Sequence, residues 1–236
     1  MTHSELNAEN KILALIPAYN EAERISPVVI ETMKFLPVLV IDDGSIDRTA
    51  QTAAEIGAEV LKQQPNQGKG AALKAGFRYA LDQEYAAVVA LDADGQHDPE
   101  EIPKFTHRFA ETGADLIIGA RDFSEMPLIR RTANWLGKAA LSWAMRETIL
   151  DNQSGYRLIS RSLLKDMTEI EEEGFEFEVE MIIHCLRKGC SLEWVEIRTI
   201  YAGESSHINP ITHLVNYIRL VLKTRESLKG RTEQIA

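Results

Sequence analysis

Leu91-Asp92-Ala93-Asp94-Gly95-Gln96-His97-Asp98-Pro99 is the stretch on which the reading of this chain turns. An apolar run from Ala86 to Leu91 leads straight into it, and Pro99-Glu100-Glu101 starts a helix behind it. Three carboxylates and an imidazole therefore crowd one turn at the end of a buried strand. Carboxylates this close repel and raise each other's pKa unless a cation shares the site. A hard divalent ion relieves that repulsion, and Mg²⁺ binds through one or two carboxylates together with substrate phosphates. Asp92 and Asp94 are the metal candidates, because open α/β sheets place ligands at strand ends. Asp98, just before the proline, reads as a helix cap.

Outward from this turn, short apolar runs alternate with helical segments. Lys11 to Ile16 reads as a strand stopped by Pro17, followed by a turn, Ala18 to Glu23, that opens a helix to about Phe35. Val38 to Ile41 is a second strand ending in Asp42-Asp43-Gly44-Ser45. Asp47 caps a helix over Thr49 to Ile56 that Gly57 closes, and Glu59 to Lys62 is a third strand. Asn66-Gln67-Gly68-Lys69-Gly70 then opens a helix, and Ala86 to Leu91 is the fourth strand. Pro99 to Glu111 forms a helix, Asp115 to Ile118 a strand, and Gly119-Ala120-Arg121 its exit. The expected fold is α/β, a mostly parallel sheet with helices on both faces. Right-handed crossovers bring the polar ends at 17–21, 42–45 and 92–96 to one edge of that sheet.

The second half is less regular. Leu128 to Ile149 is helical, Asp151 to Arg157 is a polar turn leading into Leu158 and Ile159, and Glu169 to Glu173 is a solvated acidic run. Glu176 to Lys188 reads as a helix, Ser191 to Tyr201 alternates as a strand, and Ile211 to Lys229 is a last helix with one apolar side and trailing basic residues.

A chain of 236 residues with 44% hydrophobic and 26% charged residues is an ordinary globular composition. The net charge of −10 argues against nonspecific nucleic-acid binding, while leaving room for a nucleotide held locally by a few basic residues and a metal. Two cysteines, Cys185 and Cys190, are too few for a zinc site and suit a reducing cytosol. The polar N-terminus does not resemble a signal peptide, and no stretch approaches the ~20 apolar residues of a membrane span. The expectation is a cytoplasmic protein, soluble or peripheral on the inner face of a membrane. The last helix suits either a membrane interface or packing on its own core.

An acidic residue at the end of a second strand, as in Asp42-Asp43, commonly takes a ribose hydroxyl or base edge, although Asp43-Gly44 is also ordinary turn chemistry. Gly68-Lys69-Gly70 offers backbone N–H groups and a lysine to an anion at a helix start. It is no P-loop: Gln63 stands where the first glycine is required, and no Ser or Thr follows Lys69.

Taken as an ordered set, Pro17-Ala18-Tyr19-Asn20-Glu21, Asp42-Asp43-Gly44-Ser45-Ile46-Asp47, Asn66-Gln67-Gly68-Lys69-Gly70 and Asp92-Ala93-Asp94-Gly95-Gln96 resemble the family 2 glycosyltransferases of the GT-A fold. The resemblance covers roughly residues 11 to 210, between a short N-terminal stretch, 1–10, and a C-terminal helix and tail, 211–236. Gly119-Ala120-Arg121, Arg130-Arg131 and Gln153 to Arg157 narrow it toward the dolichyl- or polyprenyl-phosphate sugar transferase branch.

The resemblance implies an inverting transfer of a mannose- or glucose-type sugar from a GDP- or UDP-sugar. Pro17, Tyr19, Glu21 and Asp43 would hold base and ribose, and Lys69 would assist at the nucleotide. Asp92, Asp94 and Gln96 would carry Mg²⁺ or Mn²⁺ on the diphosphate, Asp94 standing also among the catalytic residues. Arg121 and one of Arg130 or Arg131, with Arg131 preferred, would meet an acceptor phosphate. Such an acceptor is already an anionic nucleophile and needs positioning more than a base, whereas a hydroxyl acceptor would call on Asp151 or Asp122. Two departures stand out. The Gln-x-x-Arg-Trp box of processive polymerases is absent. The segment Gly203 to His207 matches a loop closing over the diphosphate, but offers Ser205, Ser206 and His207 where relatives often have lysine. A soluble hydroxyl acceptor and a catalytically silent nucleotide-sugar-binding module remain the alternatives.

Overall fold

The computed structural model describes residues 11–121, 139–170, 177–198 and Arg225. Seven strands form one sheet: β1 (Ile12–Ala18), β2 (Val38–Asp43), β3 (Glu59–Gln63), β4 (Ala87–Ala90), β5 (Leu116–Arg121), β6 (Arg157–Ser160) and β7 (Leu192–Ile197), in the order β3-β2-β1-β4-β6-β5-β7. All neighbours pair parallel except β6, which runs antiparallel to both β4 and β5. The α/β expectation holds, and the single reversed strand is the addition.

The chain steps outward from β1 to β2 and β3, then returns to place β4 on the other side of β1. The strand order therefore reverses at β1, and the crevice outside the carboxyl ends of β1 and β4 is where such sheets bind ligands. Register carries the polar ends there: Ala18 lies opposite Asp42, and Leu15 opposite Ala90.

Both faces of the sheet are covered, which is why β1 and β2 are buried along nearly their whole length. Side-chain alternation splits the core in two. Leu13, Leu15, Leu39 and Ile41 pack with Phe77 on one face. Ala14, Ile16, Val38 and Val40 pack with Phe105 on the other. Helix α1 (Ile25–Thr32) follows β1, α2 (Thr49–Glu55) follows β2, and α3 (Lys69–Asp82) crosses from β3 to β4. A single 3₁₀ turn, Pro99–Glu101, leads into α4 (Ile102–Thr112), and Asp98 caps it by accepting the Glu100 N–H at 3.0 Å. On α3, Gly76 lies so close to β1 that a Cβ there would sit 2.3 Å from Leu15 Cδ1.

Several boundaries differ from the sequence expectation. The first helix begins at Ile25, because Ala22 to Arg24 are held in turns by Glu21 and Asp47. β5 continues to Arg121, since β7 pairs with it as far as Ile197. Helix α5 (Arg161–Met167) was not expected, although Ser160 caps it through the Leu163 N–H and Leu163, Leu164 and Met167 bury one side. Residues 139–145 are helical, and α6 (Phe177–Lys188) precedes β7. Arg225, also helical, sets its guanidinium over the Trp143 ring at 3.3 Å from the centroid. Among the described residues no helix is long and apolar enough to cross a membrane. Residues 1–10, the region around Asp122, Arg130 and Arg131, the acidic residues 171–173, Ser205 to His207, and the last helix apart from Arg225 lie outside the described residues.

Candidate active site

Three loops after β1, β2 and β3 are tied into one wall. Asn20, in the left-handed region at φ 58°, donates its N–H to Ser45 Oγ at 2.9 Å and accepts the Ile46 N–H at 3.0 Å. The Glu21 N–H donates to Thr49 Oγ1 at 2.7 Å, and Glu21 itself pairs with Arg24 at 2.7 Å. Asp43 is buried, and its two oxygens accept the Gln67 N–H at 2.9 Å and the Gly68 N–H at 2.7 Å. Gly44, at φ 77°, is required here: a Cβ would stand 2.7 Å from Asn66 N. Asp43 thus anchors the loop that opens α3 and so places Lys69.

The Lys69 ammonium stands 2.5 Å from Asp92 Oδ1 and 2.8 Å from Glu178 Oε1, bridging the turn after β4 to the first turn of α6. Burial works against the charged lysine, but the two carboxylates outweigh it and raise its pKa above the ordinary value. Burial pushes Asp92 up, and the Lys69 ammonium beside it overrides this and holds it down at about 2. Asp92 is therefore a carboxylate at any physiological pH. Gly155 closes the group from below. A Cβ on it would lie 2.9 Å from both Lys69 Nζ and Glu178 Oε1, and 3.0 Å from Asp92 Oδ2.

His97, which the sequence left unassigned, is buried beneath the turn. Its Nδ1 accepts the Asp92 N–H at 3.0 Å, so the ring is neutral with its proton on Nε2. Burial, the largest influence, lowers its pKa in keeping with that role. The ring stacks on Tyr156 at 5.0 Å, Tyr156 stacks on Phe105 at 4.5 Å, and the Tyr156 hydroxyl donates to the Asp98 carbonyl at 3.1 Å. Within the turn, Asp94 Oδ1 accepts the Gln96 N–H at 2.9 Å, and Gly95 takes φ 81°.

Beside this group Arg121, at the end of β5, grips Asp151 with both arms of its guanidinium, Nε to Oδ2 at 2.7 Å and Nη2 to Oδ1 at 3.0 Å. Asp151 is 2% exposed on its side chain. Arg157 is buried on β6 and donates to three backbone carbonyls: Ser154 at 2.8 Å, Asn152 at 3.4 Å and Glu178. It ties the 152–154 turn to the start of α6.

Pro17, Ala18, Tyr19, Glu21, Asp43, Asn66, Lys69, Asp92 and Asp94 line one cleft of about 350 Å³ at the switch point. Seven of the sequence candidates are thus brought together. Gln96 is not among the lining residues, Arg121 and Asp151 face each other, and Arg131, Ser206 and His207 lie outside the described residues. Sequence reasoning missed Glu178 and the roles of His97 and Arg157. The only local signal for Glu178 was a carboxylate in the first turn of an apolar helix, where macrodipole and capping already explain acidic residues.

The donor set fits a divalent ion held jointly with a ligand. Asp92 and Asp94 offer hard carboxylate oxygens to the cleft, yet among the described residues no group of three His, Cys, Asp or Glu forms a cage. Mg²⁺ and ions like it accept such incomplete protein coordination and complete it with phosphate oxygens and water.

The glycosyl transferase family 2 model matches residues 14–168. An undecaprenyl-phosphate mannosyltransferase of Micrococcus luteus is 32% identical over 94% of this chain and 98% of its own length. A polyprenol monophosphomannose synthase of Mycolicibacterium smegmatis is 30% identical over 79% of this chain and 76% of its own. Among solved structures, glucosyl-3-phosphoglycerate synthase from Mycobacterium tuberculosis, in complex with Mn²⁺, UDP-glucose and phosphoglyceric acid, superposes with a TM-score of 0.72. It is 22% identical, over 98% of this chain and 84% of that one, a likeness of fold. The chain therefore belongs to glycosyl transferase family 2: it is a glycosyltransferase of the GT-A fold, similar over nearly its whole length to polyprenyl-phosphate sugar transferases.

Proposed function

We propose that this enzyme moves a mannose- or glucose-type sugar from a nucleotide-diphosphate donor to a polyprenyl phosphate, with inversion and with Mg²⁺ or Mn²⁺. The observation that carries the reading is the meeting of Asp92, Asp94 and Lys69 with the Asp43-anchored loop in one cleft at the β1/β4 switch point. Pro17, Tyr19, Glu21 and Asp43 form the base and ribose end of that cleft, and Lys69, Asp92 and Asp94 its diphosphate end. Asp92 and Asp94, with Gln96 beside them, would hold a divalent ion, which when bound would supply positive charge to the departing diphosphate.

An acceptor phosphate oxygen forms a bond to the anomeric carbon. The bond from that carbon to the diphosphate oxygen breaks, its electron pair leaving with the nucleoside diphosphate. A single displacement from the opposite face inverts the anomeric centre. Lys69, whose charge its carboxylate neighbours support, adds to the positive field, and Arg121 with Arg131 orients the acceptor phosphate. Ser206 and His207, outside the described residues, are assigned to the diphosphate by the family resemblance alone.

A hydroxyl acceptor would need a base. Asp151, the one of the two candidates that lies within the described residues, has both oxygens on Arg121, which favours the phosphate acceptor. The named substrates of the relatives also support it: undecaprenyl phosphate in Micrococcus luteus, and dolichyl phosphate with a UDP-sugar in Methanococcus voltae. Residues 11–210 form the catalytic domain, 211–236 its C-terminal helix and tail, and the enzyme works at the cytoplasmic face of a membrane it touches peripherally.

The test is nucleoside diphosphate release from GDP- and UDP-sugars with Mn²⁺, with and without a polyprenyl phosphate. Release that depends on both metal and lipid phosphate is the expected result. Binding of a sugar nucleotide without turnover under all these conditions would make the protein a silent binding module.

A further inference from the structure

The ion assigned above to Asp92 would meet a cation already there. The Lys69 ammonium lies 2.5 Å from Asp92 Oδ1, a direct ion pair. It also stands 2.8 Å from Glu178 Oε1. Glu178 is 5% exposed, and its Oε1 is shut off from solvent with no well-angled hydrogen-bond donor upon it. A buried carboxylate is costly unless a charge offsets it, and none of the donor-site roles falls to Glu178.

We infer that Lys69 is a resident counter-ion which a divalent metal displaces from Asp92, and that Glu178 is the positioning residue that receives it. This rests on the metal reading of the donor site. A metal at about 2.1 Å from that oxygen competes with the ammonium already on it, because the two cations repel across a small, poorly screened gap. Lys69 need not leave the site to make room. Glu178 already stands within ion-pair reach, so a small rotation shifts the ammonium from one carboxylate to the other. Held on Glu178, Lys69 stays at the start of α3 on the wall of the cleft, beside the phosphates the metal would bridge.

Two features of the surroundings fit this exchange. Glu178 is in the first turn of α6, where the helix dipole favours a carboxylate before and after the exchange. Gly155 has no Cβ where one would touch all three groups, leaving space for the ammonium to move. The consequence is a site that binds metal weakly alone and fills when a diphosphate adds its own negative charge.

Mn²⁺ binding to the full chain, followed by electron paramagnetic resonance without nucleotide and again with GDP or UDP, tests this. Lys69→Gln removes the competitor and tightens Mn²⁺ binding without nucleotide on the order of tenfold. Glu178→Gln leaves Lys69 only Asp92 to hold and weakens binding by a similar factor, whereas Glu178→Asp stays close to wild type. The double variant follows Lys69→Gln, because without the lysine Glu178 has nothing to receive. A purely structural Glu178 would lower the melting temperature without this opposed pair of shifts. Shifts of the same sign in both single variants, or none, would overturn the inference. Absence of Mn²⁺ binding to the wild type, even with nucleoside diphosphate, would instead remove the metal reading on which it rests.

Discussion

Replacing Gly155 by alanine puts one methyl group against the charged centre of the cleft. Gly155 is not in the left-handed region, so the backbone accepts alanine and the effect is local contact. The added carbon would sit 2.9 Å from Lys69 Nζ and Glu178 Oε1, and 3.0 Å from Asp92 Oδ2. Those separations are about 0.5–0.6 Å short of a comfortable nonbonded contact of ~3.5 Å. Each neighbour is the end of a side chain that can retreat, so the fold loses about 1 kcal/mol, or about 2–4 °C in melting temperature at this chain length. Catalysis pays more, since displacing charged groups by part of an ångström from the reacting diphosphate reduces turnover by roughly 10- to 100-fold. Nucleoside diphosphate release at saturating donor and Mn²⁺, read beside thermal unfolding, separates the two effects. Turnover and Mn²⁺ affinity unchanged in a folded Gly155→Ala protein would refute the packing of Lys69, Asp92 and Glu178 around this glycine.

Gly76→Ala tests the close approach of α3 to β1. With Leu15 Cδ1 2.3 Å from the new carbon, overpacking costs about 1–3 kcal/mol; a melting temperature equal to wild type would contradict the helix–sheet spacing. Asp115, far from the cleft, accepts hydrogen bonds from Ser160 and Ser162 and from the amide and hydroxyl of Ser191, joining β5 to the ends of β6 and β7. Burial raises its pKa, but these hydrogen bonds prevail and set it below 3.8. Its contribution is present above pH 3.8 and is lost as pH falls through the lower folded value. Asp115→Asn is therefore less stable than wild type at neutral pH, and the gap narrows as pH falls below that point. A gap that stays constant in thermal melts from pH 7 to 2.5 would rule this out.

The fold was legible because it is written locally. Each parallel strand is a short apolar run, each run ends in polar residues, and helix starts carry caps such as Asp98 before Pro99. The motif positions on β1, β2 and β4 could be assigned to one edge because crossovers in parallel sheets have one hand. That reasoning brings Asp43, Asp92 and Asp94 to one edge, and the family resemblance adds Lys69 to them. It missed the reversal of β6, since a four-residue strand takes its direction from partners 40 to 70 residues away.

What only the tertiary structure decided is who holds whom. Sequence alone could mark Lys69 as a cation at a helix start, but its commitment to Asp92 and to Glu178, 109 residues downstream, depends on α6 packing beside the turn. His97 became a support for the Asp92 amide only when Tyr156 came up beneath it from the far side of the chain. The types of group at the strand ends follow from the residues themselves. Their protonation and partners follow from burial and from neighbours that distant segments bring in, and neither is encoded in local spacing.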